Sequence, residues 1–268
     1  MRMHTGKFTP KIALVLGVTT LLTGCFDLKP DSNVKTPGQS VTASEADPPT
    51  LPPTESGIER QIERDKNDAV QVVAKPEVIT VLVNKMNRLP SNYIPSDLVE
   101  PNIPFIFTEK DEKRFMRNEA AQALDKLFAA AEKDGISLAG VSAYRSYETQ
   151  KSLFNHYVKV QGEEKARKNS AKPGHSEHQT GLAIDISDSR GKCAAEDCFA
   201  DTPEAKWLIK HAHEYGFIIR YPKGKEAVTG YNFEPWHIRY VGTNISMEVA
   251  KKGLTLEEYI EKAVLASK

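Results

Sequence analysis

The segment Ser176-Glu177-His178-Gln179-Thr180-Gly181-Leu182-Ala183-Ile184-Asp185 is answered downstream by Glu234-Pro235-Trp236-His237. Together they offer two imidazoles, a carboxylate suited to ligation and a second carboxylate to spare. That set meets the needs of a catalytic zinc site: three protein ligands, an open position for water, and a general base beside it. The local pattern explains why these groups can converge. Ala183, Asp185 and Ser187 share one face of a short strand, while Ile184 and Ile186 take the apolar face. Gly181 lets the chain turn just before that strand, so His178 can fold back toward Asp185. In Trp236–Val241 the alternation puts His237 on one face and Trp236, Ile238 and Tyr240 on the other. Pro235 biases Glu234 toward an extended conformation that aims its carboxylate at the water. A single His beside a single Asp is more often a satisfied surface pair than a metal site. The joint pattern carries the reading.

These two segments resemble the S-x-H-x-x-G-x-A-x-D … E-x-x-H signature of the VanY-like zinc D-alanyl-D-alanine carboxypeptidases. That family is related to the LAS peptidases (lysostaphin, D-Ala-D-Ala metallopeptidases and the Hedgehog fold). Leu82-Val83-Asn84-Lys85 with Leu89-Pro90 also looks like a family segment, as does Val141-Ser142-Ala143-Tyr144-Arg145-Ser146-Tyr147 with Gln150. A third is Phe217-Ile218-Ile219-Arg220-Tyr221-Pro222. The likeness spans about residues 76–260 and departs at no ligand position. It implies His178, Asp185 and His237 as zinc ligands, Glu234 as general base, and Arg145, Gln150, Ser176 and Tyr221 around the substrate.

Arg145 has a distinct place among these. A guanidinium grips a carboxylate through two parallel hydrogen bonds, and a carboxypeptidase needs such a grip on the free C-terminus. An endopeptidase cutting cross-links does not. The competing reading of Arg145 is a structural ion pair. The activity implied by the resemblance is removal of the C-terminal D-alanine from peptidoglycan stem peptides. It is read first as a D,D-activity on the pentapeptide, with an L,D-activity on the tetrapeptide as the alternative. A catalytically silent, wall-binding lipoprotein is a further alternative, and the retained Glu234 argues against it. A monomer is expected.

The positioning elements are read from periodicity. Asp111–Lys133 carries Phe115, Ala120, Leu124, Leu127, Phe128 and Ala131 near helical spacing and ends at Gly135. Tyr147–Gln161 and Pro203–Tyr215 read as helices, the latter with Pro near its start and Gly216 at its stop. Leu138–Tyr144, Phe217–Tyr221 and Trp236–Val241 read as strands, and Ile245–Lys251 and Leu256–Val264 as closing helices. This order suits an α+β domain with a small, mostly antiparallel sheet flanked by helices. The resemblance implies the Hedgehog/D-Ala-D-Ala-peptidase type of that fold, as a single catalytic domain over 76–268.

Apolar content of 40% supports a real core, and a formal net charge of zero argues against nucleic-acid binding. Residues 1–24 have a basic start and the apolar run Ile12–Leu22, which reads as a signal peptide. Their loss removes Arg2, Lys7 and Lys11 and leaves 33 basic against 36 acidic residues. Leu22-Thr23-Gly24-Cys25 resembles a bacterial lipobox, which implies lipidation at Cys25 and an extracytoplasmic, membrane-anchored lipoprotein. A plain secretory signal is the alternative. Residues 25–75 read as a disordered tether, rich in Pro, Ser, Thr, Asp and Glu over 26–57, with a frayed helix over Glu59–Asp68. In an exported protein Cys193 and Cys198 read first as a disulfide, since a second zinc site lacks two further ligands nearby. His156, His211 and His213 read as surface or packing residues, and His175 as a loop residue beside the site.

Overall fold

The computed structural model describes residues 70–266. The signal segment, Cys25, the Glu59–Asp68 helix and the tether up to residue 69 lie outside the described residues. β1 (Gln71–Val72) pairs in parallel with β2 (Asn87–Arg88), so paired backbone begins five residues before the expected boundary at Pro76. β3 (Leu98–Val99) pairs antiparallel with β4 (Met116–Arg117). The main sheet holds β5 (Leu138–Ser142), β6 (Ala183–Asp188), β7 (Phe217–Tyr221) and β8 (Glu234–Tyr240) in the order β5-β6-β8-β7, every pair antiparallel. This is the expected α+β architecture. No helix among the described residues is long and apolar enough to cross a membrane.

The first long helix starts later than its apolar spacing predicts. Asp111 caps a 3-10 turn at Glu112–Arg114, its side chain accepting from the Lys113 amide, and the chain then runs extended through β4. Arg117 holds that extension: its amide donates to Gly181 O at 2.8 Å and its Nε to Asp97 Oδ1 at 2.9 Å. Only then does α1 (Asn118–Lys133) begin, burying Ala120, Leu124, Leu127 and Ala131 on one face. Long-range partners overrode local periodicity there.

α2 (Tyr147–Gln161) matches its expected bounds, with Ser146 as N-cap accepting from the Thr149 amide. A short α3 (Glu163–Asn169), not anticipated, follows directly after Gly162. The helix expected over Pro203–Tyr215 is α4 (Pro203–His211), capped by Thr202 and continued by a 3-10 turn to Tyr215. α5 (Thr243–Lys252) and α6 (Leu256–Ala266) close the described chain. Ile184, Ile186, Ile238 and Phe217 from the sheet pack with Leu124, Leu127 and Leu208 from α1 and α4 in one core. Each such side chain contributes about 1.5–3 kcal/mol by leaving water. The core therefore forms a firm floor under the opposite sheet face. Cys193 and Cys198 are joined as a disulfide, as the sequence suggested.

Candidate metal centre and cleft

Neighbouring strands bring the ligand candidates together. Asp185 in β6 lies directly opposite His237 in β8. His178 comes from a 3-10 turn, Glu177–Thr180, that ends at Gly181 with φ +67°. A Cβ there would stand 2.9 Å from Leu98 Cδ2 on top of the backbone strain, so the turn requires glycine. The His178 and His237 rings meet edge to face with centroids 4.9 Å apart. One donor atom from each of His178, Asp185 and His237 lies within 4.8 Å of the others, and all three residues are buried. Ligands about 2.1 Å from a tetrahedral zinc stand about 3.4 Å apart, so a shift of about an ångström closes this set.

The hydrogen bonds test whether the set suits a cation. His178 Nδ1 lies 2.7 Å from Ala143 O. A carbonyl only accepts, so that nitrogen carries the proton and Nε2 presents a lone pair. The lone pair faces Asp185 Oδ2 at 3.4 Å, acceptor against anion. A cation between them removes the repulsion. Two imidazoles and a carboxylate, with no thiolate, form a donor set suited to catalytic zinc. The residues fit the metal.

Electrostatics adds a proton to the problem. Burial acts to lower the His237 pKa, but its contacts with Asp185 (Nδ1–Oδ1, 3.0 Å) and Glu177 prevail and raise it to about 9. Burial lowers His178, with Asp185 opposing. Metal-free His237 is therefore protonated at neutral pH and must release a proton to ligate. Because the raised pKa favours the protonated form below about 9, zinc affinity is expected to weaken about tenfold for each unit that pH falls between 8 and 6. Chelator-competition titrations at pH 6, 7 and 8 measure this. A flat profile would contradict it.

Glu234 opens β8 and lines a cleft of about 200 Å³ with Arg145, Tyr157, Ser176, Tyr221 and the three ligand candidates. A separation of three residues puts side chains on opposite faces of a regular strand. The β7–β8 ladder is irregular here, with Ile219 opposite Ile238 and Tyr221 opposite Glu234, and Glu234 Oε2 stands 3.9 Å from His237 Nδ1. Burial, partly offset by His237 and reinforced by Asp185, pushes Glu234 up to about 7.

Arg145 leaves the end of β5, its amide donating to His178 O at 3.2 Å. Its guanidinium donates to Gln150 Oε1 at 2.9 Å and to Ser142 Oγ at 3.1 Å, both neutral. The structural ion pair considered for it is not what holds it. Gln150, expected beside the substrate, lies against Arg145. It is 1% exposed, and its Nε2 donates to Ala171 O at 2.7 Å and Ser170 Oγ at 3.2 Å. It stands behind Arg145 and orients it. Tyr221 packs against His237 at a 39° tilt with centroids 5.0 Å apart, and the buried Ser176 lines the same cleft. His175 stands outside the triad, its Nδ1 2.8 Å from Asn84 O.

Sequence reasoning missed the layer beneath the centre. Glu177 Oε1 accepts from Arg220 Nε at 2.7 Å and from Arg239 Nη1 at 2.6 Å, all three side chains without solvent exposure. Arg220 is held bidentately by Glu257 of α6, and Arg239 donates to Ile79 O and Val81 O. The available signal was the alternation itself, which puts Arg239 on the His237 face of β8.

Comparison with known proteins agrees with this geometry. A family model described as VanY, D-alanyl-D-alanine carboxypeptidase, matches residues 113–243. YodJ of Bacillus subtilis, whose name marks it only as a candidate carboxypeptidase, is 49% identical over 211 residues, 78% of this chain and 77% of its own. The chain belongs to the VanY family. Among solved structures of VanY-like proteins, the LdcB LD-carboxypeptidase is similar with a TM-score of 0.70 and 51% identity, covering 73% of this chain and 91% of its own. A vancomycin-resistance D,D-pentapeptidase VanY crystallised with Zn(II) superposes with a TM-score of 0.56 and 32% identity, covering 68% of this chain and 98% of its own. The VanY-family chain is a carboxypeptidase of the metallo type, with its candidate metal triad where the signature predicts it.

Proposed function

We propose that this chain is a zinc carboxypeptidase that removes the terminal D-alanine from peptidoglycan stem peptides. In this reading His178, Asp185 and His237 hold the metal. Zinc, when bound, supplies Lewis acidity toward the scissile carbonyl and lowers the pKa of water toward neutrality. Glu234 takes the proton of the attacking water and passes it to the leaving amine. Arg145 holds the terminal carboxylate and so sets the scissile bond against Glu234. Tyr221 and Ser176 hydrogen-bond along the stem peptide, and Gln150 keeps Arg145 in place. The observation that carries the reading is Arg145: a desolvated cation in the cleft, hydrogen-bonded to neutral groups only.

Two bonds compete as the point of cleavage. The higher identity to the LD-carboxypeptidase (51%) than to the D,D-pentapeptidase (32%) favours the tetrapeptide over the pentapeptide first taken from the family resemblance. Purified tetra- and pentapeptide muropeptides, incubated separately with the zinc-loaded enzyme, are expected to show loss of one alanine by mass, faster from the tetrapeptide. Cleavage of the pentapeptide alone would reverse the preference. Release of fragments larger than one residue would overturn the carboxypeptidase reading itself.

The same reading includes a lipid anchor at Cys25, motivated by Leu22-Thr23-Gly24-Cys25. Cys25→Ser is expected to move the protein out of the membrane fraction or leave its signal uncleaved. Fractionation with immunoblotting checks it, and a wild-type protein already soluble and mature would favour an ordinary secretory signal.

A further inference from the structure

The carboxylate beneath the metal centre has an oxygen that the charge cluster leaves unused. Glu177 Oε1 is taken by Arg220 and Arg239, whereas Oε2 is fully buried with no hydrogen-bond partner. His237 Nε2 is likewise buried and without a partner. These two orphaned atoms face each other at 3.6 Å. Leaving either unpaired is costly, and a small closure turns both into one hydrogen bond. On the opposite edge of the same ring, Nδ1 faces Asp185 Oδ1 and Glu234 Oε2. The ring thus turns Nδ1 toward the candidate triad and Nε2 toward Glu177.

We propose that Glu177 is a positioning residue for His237: it accepts the Nε2–H, leaves Nδ1 as the ligating lone pair, and thereby sets the metal affinity of the centre. The inference rests on His237 being a ligand. Metal-bound histidines depend in this way on an acceptor for their second nitrogen, which fixes tautomer and ring orientation. Here the acceptor is itself immobilised. Two arginines from adjacent strands, Arg220 in β7 and Arg239 in β8, clamp Glu177 from below, and Glu257 in the last helix grips Arg220. Because Glu177 immediately precedes His178, one short turn supplies a ligand and the support of the opposing ligand.

The test compares two variants with the wild-type chain. Wild-type zinc affinity is measured first by chelator competition; absence of binding would sink the ligand reading before Glu177 is questioned. Glu177→Gln is then expected to weaken zinc binding by about 10–100-fold, the usual range for loss of such a support. Glu257→Gln breaks the other end of the same charge cluster without touching His237. It is expected to lower thermal stability while leaving zinc affinity within about twofold. Equal weakening in both variants, or wild-type affinity in Glu177→Gln, would overturn the proposal. Should Glu177→Gln fail to fold, the wild-type protein still decides. Proton–nitrogen correlation spectra of ¹⁵N-histidine, zinc-loaded chain should show His237 protonated at Nε2 and metal-bound at Nδ1. Coordination through Nε2 would refute the role.

Discussion

Glu234→Gln is expected to lower kcat by about 10²–10⁴-fold, the span of a general base contribution, with zinc content and KM nearly unchanged. The side chain keeps its shape, so cleft packing and the register of β8 survive. What is lost is the ability to take a proton. The wild-type carboxylate is suited to that task because it is only 19% exposed. In the metal-free centre burial pushes its pKa up to about 7, with His237 and Arg145 pulling it down and Asp185 pushing it up. A group poised near neutrality both accepts a proton from water and returns it to an amine. The amide of glutamine does neither. Kinetics on a stem peptide, paired with metal analysis of the same sample, measure the effect. Wild-type turnover with one zinc per chain would mean that another group is the base.

Arg145→Ala is expected to lower kcat/KM by roughly thirty- to several-thousand-fold. The range follows from about 2–5 kcal/mol for truncating one partner of a desolvated charge pair, at about 1.4 kcal/mol per decade. Its present partners, Gln150 and Ser142, are neutral and orient the guanidinium without cancelling its charge. Asp185, Glu112 and Glu234 act on it without a direct hydrogen bond, so in the proposed reading the substrate carboxylate is its first directly bonded counter-charge. Arg145→Lys should recover only part of the loss, since an ammonium cannot reproduce the planar, two-bond grip. Converting the substrate carboxylate to an amide should harm the wild type severely and Arg145→Ala hardly at all. Equal sensitivity of both enzymes to amidation would show that Arg145 does not read the carboxylate, and the carboxypeptidase reading would lose its main support.

Much of the centre was legible in the chain because its information is local. His178, Gly181 and Asp185 lie within eight residues, and the alternation in β6 states which side chains share a face. The sheet strands, α2 and the Cys193–Cys198 pairing are local in the same sense, read from periodicity, a cap or a short spacing. The late start of α1 was not, since Arg117 is held extended by Asp97 and Gly181, partners that helical periodicity does not register. The family resemblance puts Gln150 at the substrate, and only packing reveals that it also bonds Arg145, Ser170 and Ala171.

The sequence by itself supplied the candidate ligands, base and clamp, through residue chemistry and the family signature, and the α+β class through short-range pattern. Tertiary structure decided which atoms meet. Strand alternation alone would point Glu234 away from His237, yet Glu234 Oε2 stands 3.9 Å from His237 Nδ1 where the ladder with β7 is irregular. Glu177 reads as a polar neighbour of a ligand until Arg220 and Arg239, 43 and 62 residues away, bury it beneath the second one. Charge pairs across such separations leave no periodic trace in a chain, because they depend on strand order and register rather than on spacing.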